Sequence, residues 1–292
     1  LMADDIEDIP SEEILLECLI GTGCTAEVFR GTWSRIDQVV AVKKLNSQES
    51  PELHQVFARE LNVLRQVDHE NLVKLYGVCI DPLPLRIITE FCEGGACFEL
   101  LHNAVDIELQ SKQQIKICLD TACAMRYLHT FEPMIIHRDL KSLNLLLAKP
   151  VTSELDVPIV KVCDFGVAKF RDKGAWGQMT TQAGTKHWMA PEMWQDVSYN
   201  EKVDVFSYAM VIYEVACREV PFEEEEPSDL GKFVLNGIRP DLDCVPPDTP
   251  APLVDIMQQC WQQAPDDRPA FVEVVPVLEA LYAALNKVTV SL

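Results

Sequence analysis

His137-Arg138-Asp139-Leu140-Lys141-Ser142-Leu143-Asn144 decides how this 292-residue chain folds and what it can do. The stretch follows the apolar run Met134–Ile136 and precedes a second one, Leu145–Leu147. So many polar and charged groups would cost too much desolvation inside a plain buried strand. They read instead as a loop that carries chemistry between two buried strands. Asp139 is a carboxylate able to accept or orient a hydroxyl proton. Asn144 supplies a side-chain oxygen for a hard cation. Lys141 can neutralise a phosphoryl group in transfer.

Working outward, the other requirements of phosphoryl transfer find candidates. Downstream, Val162-Cys163-Asp164-Phe165-Gly166 offers Asp164 as a second metal ligand, and Gly166 is expected to supply the backbone swing that places it. Upstream, Ala41-Val42-Lys43 puts an ammonium at the end of an apolar strand. Glu60, in Phe57-Ala58-Arg59-Glu60-Leu61, is placed to hold that lysine. Gly21-Thr22-Gly23-Cys24-Thr25-Ala26-Glu27-Val28 lies between two strands, where small residues let backbone N–H groups approach phosphates. Further on, Gly184-Thr185-Lys186-His187-Trp188-Met189-Ala190-Pro191-Glu192 contains a carboxylate expected to be buried, Glu192, with Arg268 as its bidentate partner.

The periodicities predict strands at 14–20, 28–32 and 39–44, with a loop at 21–26 and a turn at 35–38. A helix is predicted at 52–66, where Leu53, Val56, Phe57, Leu61 and Leu64 recur at helical spacing. Strands follow at 72–79 and 85–90. After Gly94-Gly95 the chain turns helical, with helices predicted at 111–129, 203–217, 253–263 and 271–285. The segment 203–217 is apolar nearly all round and is expected to be a buried pillar.

The formal charge of −21 disfavours nucleic acid and anionic lipid as partners, since both require a basic face, and fits basic protein substrates. Eleven cysteines without paired C-x-x-C spacing predict free thiols in a reducing compartment, and so a cytoplasmic location. The longest apolar run, 208–216, is interrupted by Glu214 and is too short to span a bilayer, so no membrane insertion is expected. The chain opens acidic rather than as a secretory leader, and the lack of regulatory sequence predicts a piece of something larger.

Taken in order, these strings resemble the signature set of eukaryotic protein kinases over about residues 14–285. The resemblance implies an α+β, bilobal fold within a single domain over 1–292. Its parts would be a small antiparallel-sheet lobe with one main helix (about 14–91), a hinge (about 90–95) and a larger helical lobe (about 96–285). It implies ATP and Mg²⁺ as cofactors and transfer of the γ-phosphoryl group to protein hydroxyls. Asp139 would be the catalytic base, with Lys141 beside it; Lys43 would pair with Glu60 and the phosphates; Asn144 and Asp164 would hold Mg²⁺. Ile20, Gly21, Gly23 and Val28 would cover the nucleotide, Val28, Ala41 and Leu146 would sandwich the adenine, Thr89 would be the gatekeeper, and the backbones of Glu90 and Cys92 would face the base. Leu64, Leu75, His137 and Phe165 resemble the stacked apolar spine of an assembled kinase.

Lys141, with Gly184-Thr185 ahead of Ala190-Pro191-Glu192, is similar to serine/threonine kinases. The stretch from His137 to Asn144, Trp188-Met189-Ala190-Pro191-Glu192 and Cys260-Trp261 with Arg268-Pro269 resemble the tyrosine-kinase-like group. The implied activity is serine/threonine phosphorylation; dual specificity and a weakly catalytic scaffold of the same fold are the alternatives. Because Lys43, Glu60, Asp139, Asn144 and Asp164 are all present, the active enzyme is preferred. Three features depart from the pattern. Ala26 replaces the third loop glycine. Cys24-Thr25 leaves the loop tip without an aromatic, which predicts a loose lid. Residues 150–158 form an exposed insertion. Phosphorylation of Thr180 or Thr181, by the chain itself or an upstream kinase, is expected to order the segment 164–192 through Arg138. Thr185 is expected to bond near Asp139 and Lys141.

Overall fold

Strands β1 (Ile14–Thr22), β2 (Ala26–Trp33) and β3 (Gln38–Leu45) form an antiparallel meander. Strands β4 (Leu75–Cys79) and β5 (Arg86–Glu90) complete a five-stranded sheet of order β1-β2-β3-β5-β4. The structure, a computed structural model, describes residues 7–23, 26–46, 51–81, 83–171, 185–195 and 197–289. The two-residue side-chain period of a strand sorts β3 cleanly. Val40 and Val42 are buried in a small cluster with Ile9, Ile14, Trp33, Cys79 and Ile88, while Ala41 and Lys43 face the other way and are only half-buried. Helix α1 (Pro51–Leu64) starts on a proline, where a missing N–H costs nothing. It buries Phe57, Val63 and Leu64 in the main core.

Between the lobes the chain is held tightly to the strand beneath it. Gly94 donates its N–H to Leu147 O at 2.9 Å, and a Cβ at Gly94 would lie 2.4 Å from Lys149 O, so only glycine fits. Gly95 is left-handed at φ +69°.

The large lobe is built on α2 (Ser111–Thr130), α3 (Lys202–Cys217), α4 (Leu230–Leu235), α5 (Ala251–Cys260) and α6 (Phe271–Thr289). Gln110 and Gln113 cap α2 reciprocally. Helix α3 is the expected pillar, with every residue from Val203 to Ala216 buried. Its C-cap, Arg218, is left-handed, and its guanidinium donates to the carbonyls of Leu100, Leu101, Ala104 and Ile107. Those bonds satisfy the end of a single π-helical turn, Glu99–Asn103, that the periodicity does not reveal. Helix α4 was likewise not expected. The stretch Pro265–Lys287 is long and apolar enough to cross a bilayer by length and composition, a property missed by counting unbroken apolar runs; here Phe271, Val274, Val275 and Leu278 of α6 lie in the core.

Several boundaries move. β1 runs on through Gly21 and Thr22, so the loop starts later than predicted. The strand expected at 72–79 begins at Leu75, with Leu72 making only an isolated bridge to Val162. The insertion at 150–158 is exposed at Leu155 and Val157 but is a built loop: Asp156 accepts from the N–H and hydroxyl of both Thr152 and Ser153, and Gln113 Nε2 donates to Ser153 O and Asp156 O, each at 2.9 Å.

Candidate active site

Two pairs of short antiparallel strands set the site. β6 (Met134–Ile136) pairs with β9 (Lys169–Arg171), and β7 (Leu145–Leu147) pairs with β8 (Val160–Val162). The register Leu145↔Val162 carries Asn144 alongside Cys163, whose N–H donates to Asn144 O at 3.0 Å. Two oxygen-bearing side chains separated by twenty positions, Asn144 and Asp164, therefore leave the hairpin at the same end.

Asp164 reaches the cleft through its own backbone, at φ +63°. This corrects the expectation that Gly166 provides the swing. Gly166 is small for a different reason: a Cβ there would lie 3.1 Å from Val56 Cγ1 on α1. Lys43 Nζ donates to Glu60 at 2.6 and 2.8 Å and to Asp164 Oδ1 at 3.0 Å. Burial works against the ammonium, but the Glu60 and Asp164 carboxylates outweigh it and hold Lys43 above its ordinary pKa. Burial likewise pushes Asp164 up, yet Lys43, with help from His137 and the Gly166 N–H, brings it below the usual carboxylate value. The Asp164 side chain is 43% exposed and thus open to a ligand, whereas Glu60 is almost wholly enclosed.

Asp139 is surrounded by donors. Its Oδ1 accepts from the Thr185 N–H at 2.9 Å and the Thr185 hydroxyl at 3.0 Å. Its Oδ2 accepts from Lys141 Nζ at 2.7 Å and Asn144 Nδ2 at 3.2 Å. Lys141 Nζ also donates to Thr185 Oγ1 at 2.5 Å. Asn144 spends its amide nitrogen on Asp139, both side chain and backbone, which leaves its amide oxygen to act as an acceptor. Asn144 and Asp164 form the kind of sparse oxygen set that suits Mg²⁺, an ion that keeps waters and completes its shell with phosphates.

The residues expected to enclose a nucleotide come from both lobes. Val28, Ala41 and Leu146 are half-buried, and Thr89 stands opposite Ala41 in the β3–β5 register. Cys92 is buried, and burial pushes its thiol up to about 12. The Glu90 N–H is donated to Lys74 O, and its carboxylate is engaged by the Lys74 N–H and by Lys161 Nζ at 2.8 Å. Ile20 is 47% exposed on β1, Gly21 pairs with Val28, and Gly23 donates its N–H to Ala26 O. Ala26 is a buried strand residue without a positive φ, so its methyl group is accommodated. The spine residues share one cluster: Leu64 and Phe165 are buried in the core, Leu75 packs on it, and the His137 and Phe165 rings meet edge to face at 5.3 Å. Cys24, Thr25, Thr180 and Thr181 lie outside the described residues.

The residues that hold the catalytic loop escaped the sequence reading. Asp204 on α3, fully buried, accepts from His129 Nε2 at 2.8 Å and from the backbone N–H groups of His137 and Arg138 at 2.9 and 2.8 Å. Glu214, also fully buried, accepts from Ser142 Oγ at 2.5 Å and Trp188 Nε1 at 2.7 Å, and meets His102 Nε2 at 3.0 Å. Ten residues of helix separate these carboxylates by about 15 Å, enough to clamp both ends of the loop. The available signal was an acid inside an otherwise apolar helix, which has to find partners. Behind the site, Arg268 and Glu192 form the expected bidentate pair at 2.6 and 2.9 Å.

A small lobe that presents a lysine–glutamate pair, and a large lobe that presents an aspartate held by lysine, asparagine and threonine beside a second, open aspartate, together match the protein-kinase fold. The chain belongs to the protein tyrosine and serine/threonine kinase family, whose model matches residues 14–278. It is similar to serine/threonine-protein kinase STY17 of Arabidopsis thaliana, at 35% identity over 276 residues, covering 94% of this chain and 45% of that protein. It is 36% identical over 282 residues to probable serine/threonine-protein kinase drkC of Dictyostelium discoideum, covering 95% of this chain and 36% of that protein. It is 34% identical over 281 residues to mitogen-activated protein kinase kinase kinase 7 of Homo sapiens, covering 95% and 43%. The chain thus spans less than half the length of these curated relatives.

Proposed function

We propose that this chain transfers the γ-phosphoryl group of MgATP to serine and threonine hydroxyls of protein substrates. One observation carries the proposal: Lys43 is bound at once by Glu60 from the small lobe and Asp164 from the large lobe, so the cleft is assembled. Lys43 then stands ready for the α- and β-phosphates. Ile20, Gly21, Gly23, Val28, Ala41 and Leu146 enclose the nucleotide, with Thr89, Glu90 and Cys92 along its adenine edge. Asn144 and Asp164 would hold Mg²⁺, which would supply positive charge to neutralise the phosphates. Asp139 orients the acceptor hydroxyl and takes its proton as the bond from that oxygen to the γ-phosphorus forms and the bond from the γ-phosphorus to the β–γ bridging oxygen breaks, with ADP as the leaving group. Lys141 steadies the phosphoryl oxygens, and Thr185 fixes both residues.

Serine/threonine specificity is supported by the names of the relatives and by Thr185 bridging Asp139 and Lys141. The scaffold alternative is disfavoured because none of the expected catalytic groups is missing. The acidity of the chain suits basic acceptor sequences, and the free cysteines among the described residues suit a reducing cytoplasm. Phosphorylation of Thr180 or Thr181, by this chain or an upstream kinase, would bring a phosphate to Arg138; mass spectrometry of active protein with neither residue modified would count against it. The main test is radiolabel transfer from γ-labelled MgATP to a generic protein acceptor, with Asp139→Asn and Lys43→Met as controls. Phosphoserine and phosphothreonine are expected; phosphotyrosine as well would establish dual specificity, and transfer no greater than that of Asp139→Asn would end the proposal.

A further inference from the structure

Helix α1 touches the segment bearing Asp164 in two ways. The first runs from Glu60 through Lys43 to the Asp164 carboxylate. The second is direct: Arg59, the neighbour of Glu60, donates from Nη1 to Gly166 O at 3.1 Å. Val56, one turn earlier on α1, lies so close that a Cβ on Gly166 would come within 3.1 Å of it. The same segment is held from the large lobe by Arg138 Nε, which donates to Val167 O at 2.6 Å, and by the His137 ring nitrogen 3.0 Å from Cys163 O. Neighbouring carbonyls, those of Gly166 and Val167, are thus taken by arginines from opposite lobes.

This arrangement answers a need of the backbone. Asp164 is left-handed, a conformation that an aspartate keeps only where its surroundings hold it. Within the segment itself, its side chain makes only a long 3.4 Å contact with the Gly166 N–H. A charge-assisted bond from a half-buried guanidinium is the stronger constraint on the peptide unit that follows.

We propose that Arg59 is a positioning residue that ties helix α1 to the backbone of the metal-binding segment, so that the presentation of Asp164 depends on α1 through Arg59 as well as through the Lys43–Glu60 pair. The inference rests on the kinase function proposed above. It separates Arg59 from a helix arginine that merely finds a nearby carbonyl: in that case the segment would keep its order without it.

The test compares wild type with Arg59→Ala, Arg59→Gln and Arg59→Lys. Amide hydrogen exchange on metal-free protein is read first. In Arg59→Ala and Arg59→Gln, amides 164–168 are expected to exchange about tenfold faster, while those of α3 are unchanged. In transfer assays the Mg²⁺ concentration for half-maximal rate is expected to rise about fivefold, and Arg59→Lys, which keeps charge and a donor, recovers part of both effects. Wild-type exchange at 164–168 in a folded Arg59→Ala or Arg59→Gln protein overturns the inference, as does a rate loss that follows melting temperature with an unchanged Mg²⁺ requirement. If wild type itself transfers no phosphate, the proposed function fails; if wild type transfers and the variants match it, only the role of Arg59 fails.

Discussion

The catalytic loop, 137–144, and the glycine loop, 21–26, both belong to the proposed site, yet they are held by opposite means. The catalytic loop is fixed from beneath by two fully buried carboxylates of α3, which take up its backbone N–H groups at one end and the Ser142 hydroxyl at the other. The described part of the glycine loop is held from outside, by the turn bond Gly23 N–H to Ala26 O and by Asn46 Nδ2 donating to Gly23 O at 3.0 Å on an exposed edge. Proton transfer needs an orienting group fixed to a fraction of an ångström. A lid over a nucleotide has to open on every turnover. The strength of attachment follows the task, and each prediction below tests one side of that contrast.

The largest effect belongs to the group that the rigid loop exists to present. Asp139→Asn keeps the shape but removes the proposed base and weakens acceptance from Lys141 and Thr185. It is expected to lower the rate of transfer by about 10²–10⁴-fold, with an unchanged melting curve. A variant that keeps near-wild-type kcat would show that the loop's rigidity serves some other residue.

Next comes the clamp itself. Asp204→Ala strands the N–H groups of His137 and Arg138 and the His129 ring in a dry core. Breaking a buried, fully engaged charge costs about 3–5 kcal/mol, which urea denaturation will resolve. Loss of activity at temperatures where the variant is still folded is expected as well, because the loop loses its anchor.

A milder way to load the same clamp is acid. Burial alone would raise the Asp204 carboxyl, but the bond and charge of His129, the charge of His137 and the Arg138 N–H together hold it below the ordinary carboxylate range. A group with a lowered folded-state pKa contributes stability that is present above its unfolded value, about 3.9, and is lost as pH falls through the folded value. Asp164 shifts in the same direction and adds with the same sign. Wild-type stability is therefore expected to decline below about pH 4, with a shallower slope in Asp204→Asn. Equal slopes would place the acid sensitivity outside the clamp.

The same contrast explains what could be read from the sequence. The string from His137 to Asn144 was legible because its chemistry is written in consecutive residues between two apolar runs, and the Lys43, Glu60 and Asp164 strings add to it in a fixed order. Asp204 and Glu214 were not, because in a hydropathy pattern an acid within an apolar helix counts only as an interruption, and its partners lie far away in sequence: 75 positions for His129 and 72 for Ser142. The backbone swing that places Asp164 was assigned to Gly166 on residue type, whereas the left-handed residue is Asp164 itself, its carboxylate bonded to Lys43. The π-helical turn after the hinge gives no periodic signal; its stability comes from Arg218, more than a hundred positions later.

The smallest expected effect lies at the lid. The missing aromatic at the loop tip predicted a loose cover, and Asn46 is what the described residues offer in its place: its amide reaches from the end of β3 to the carbonyl of Gly23. Both partners are exposed, so the bond competes with water and contributes at most about 1 kcal/mol. Beside it, Lys44 faces Glu27 at 3.4 Å, a surface pair of little further worth. Asn46→Ala is therefore expected to raise KM for ATP by about two- to fivefold, the equivalent of such a bond, while kcat changes by less than about twofold and thermal stability hardly moves. Asn46→Gln, whose longer side chain keeps the donor but changes its reach, tests whether the bond or only the side chain matters. A fall in kcat as large as the rise in KM would mean that the lid helps to set the geometry of transfer, and the division between a rigid floor and a soft cover would have to be given up.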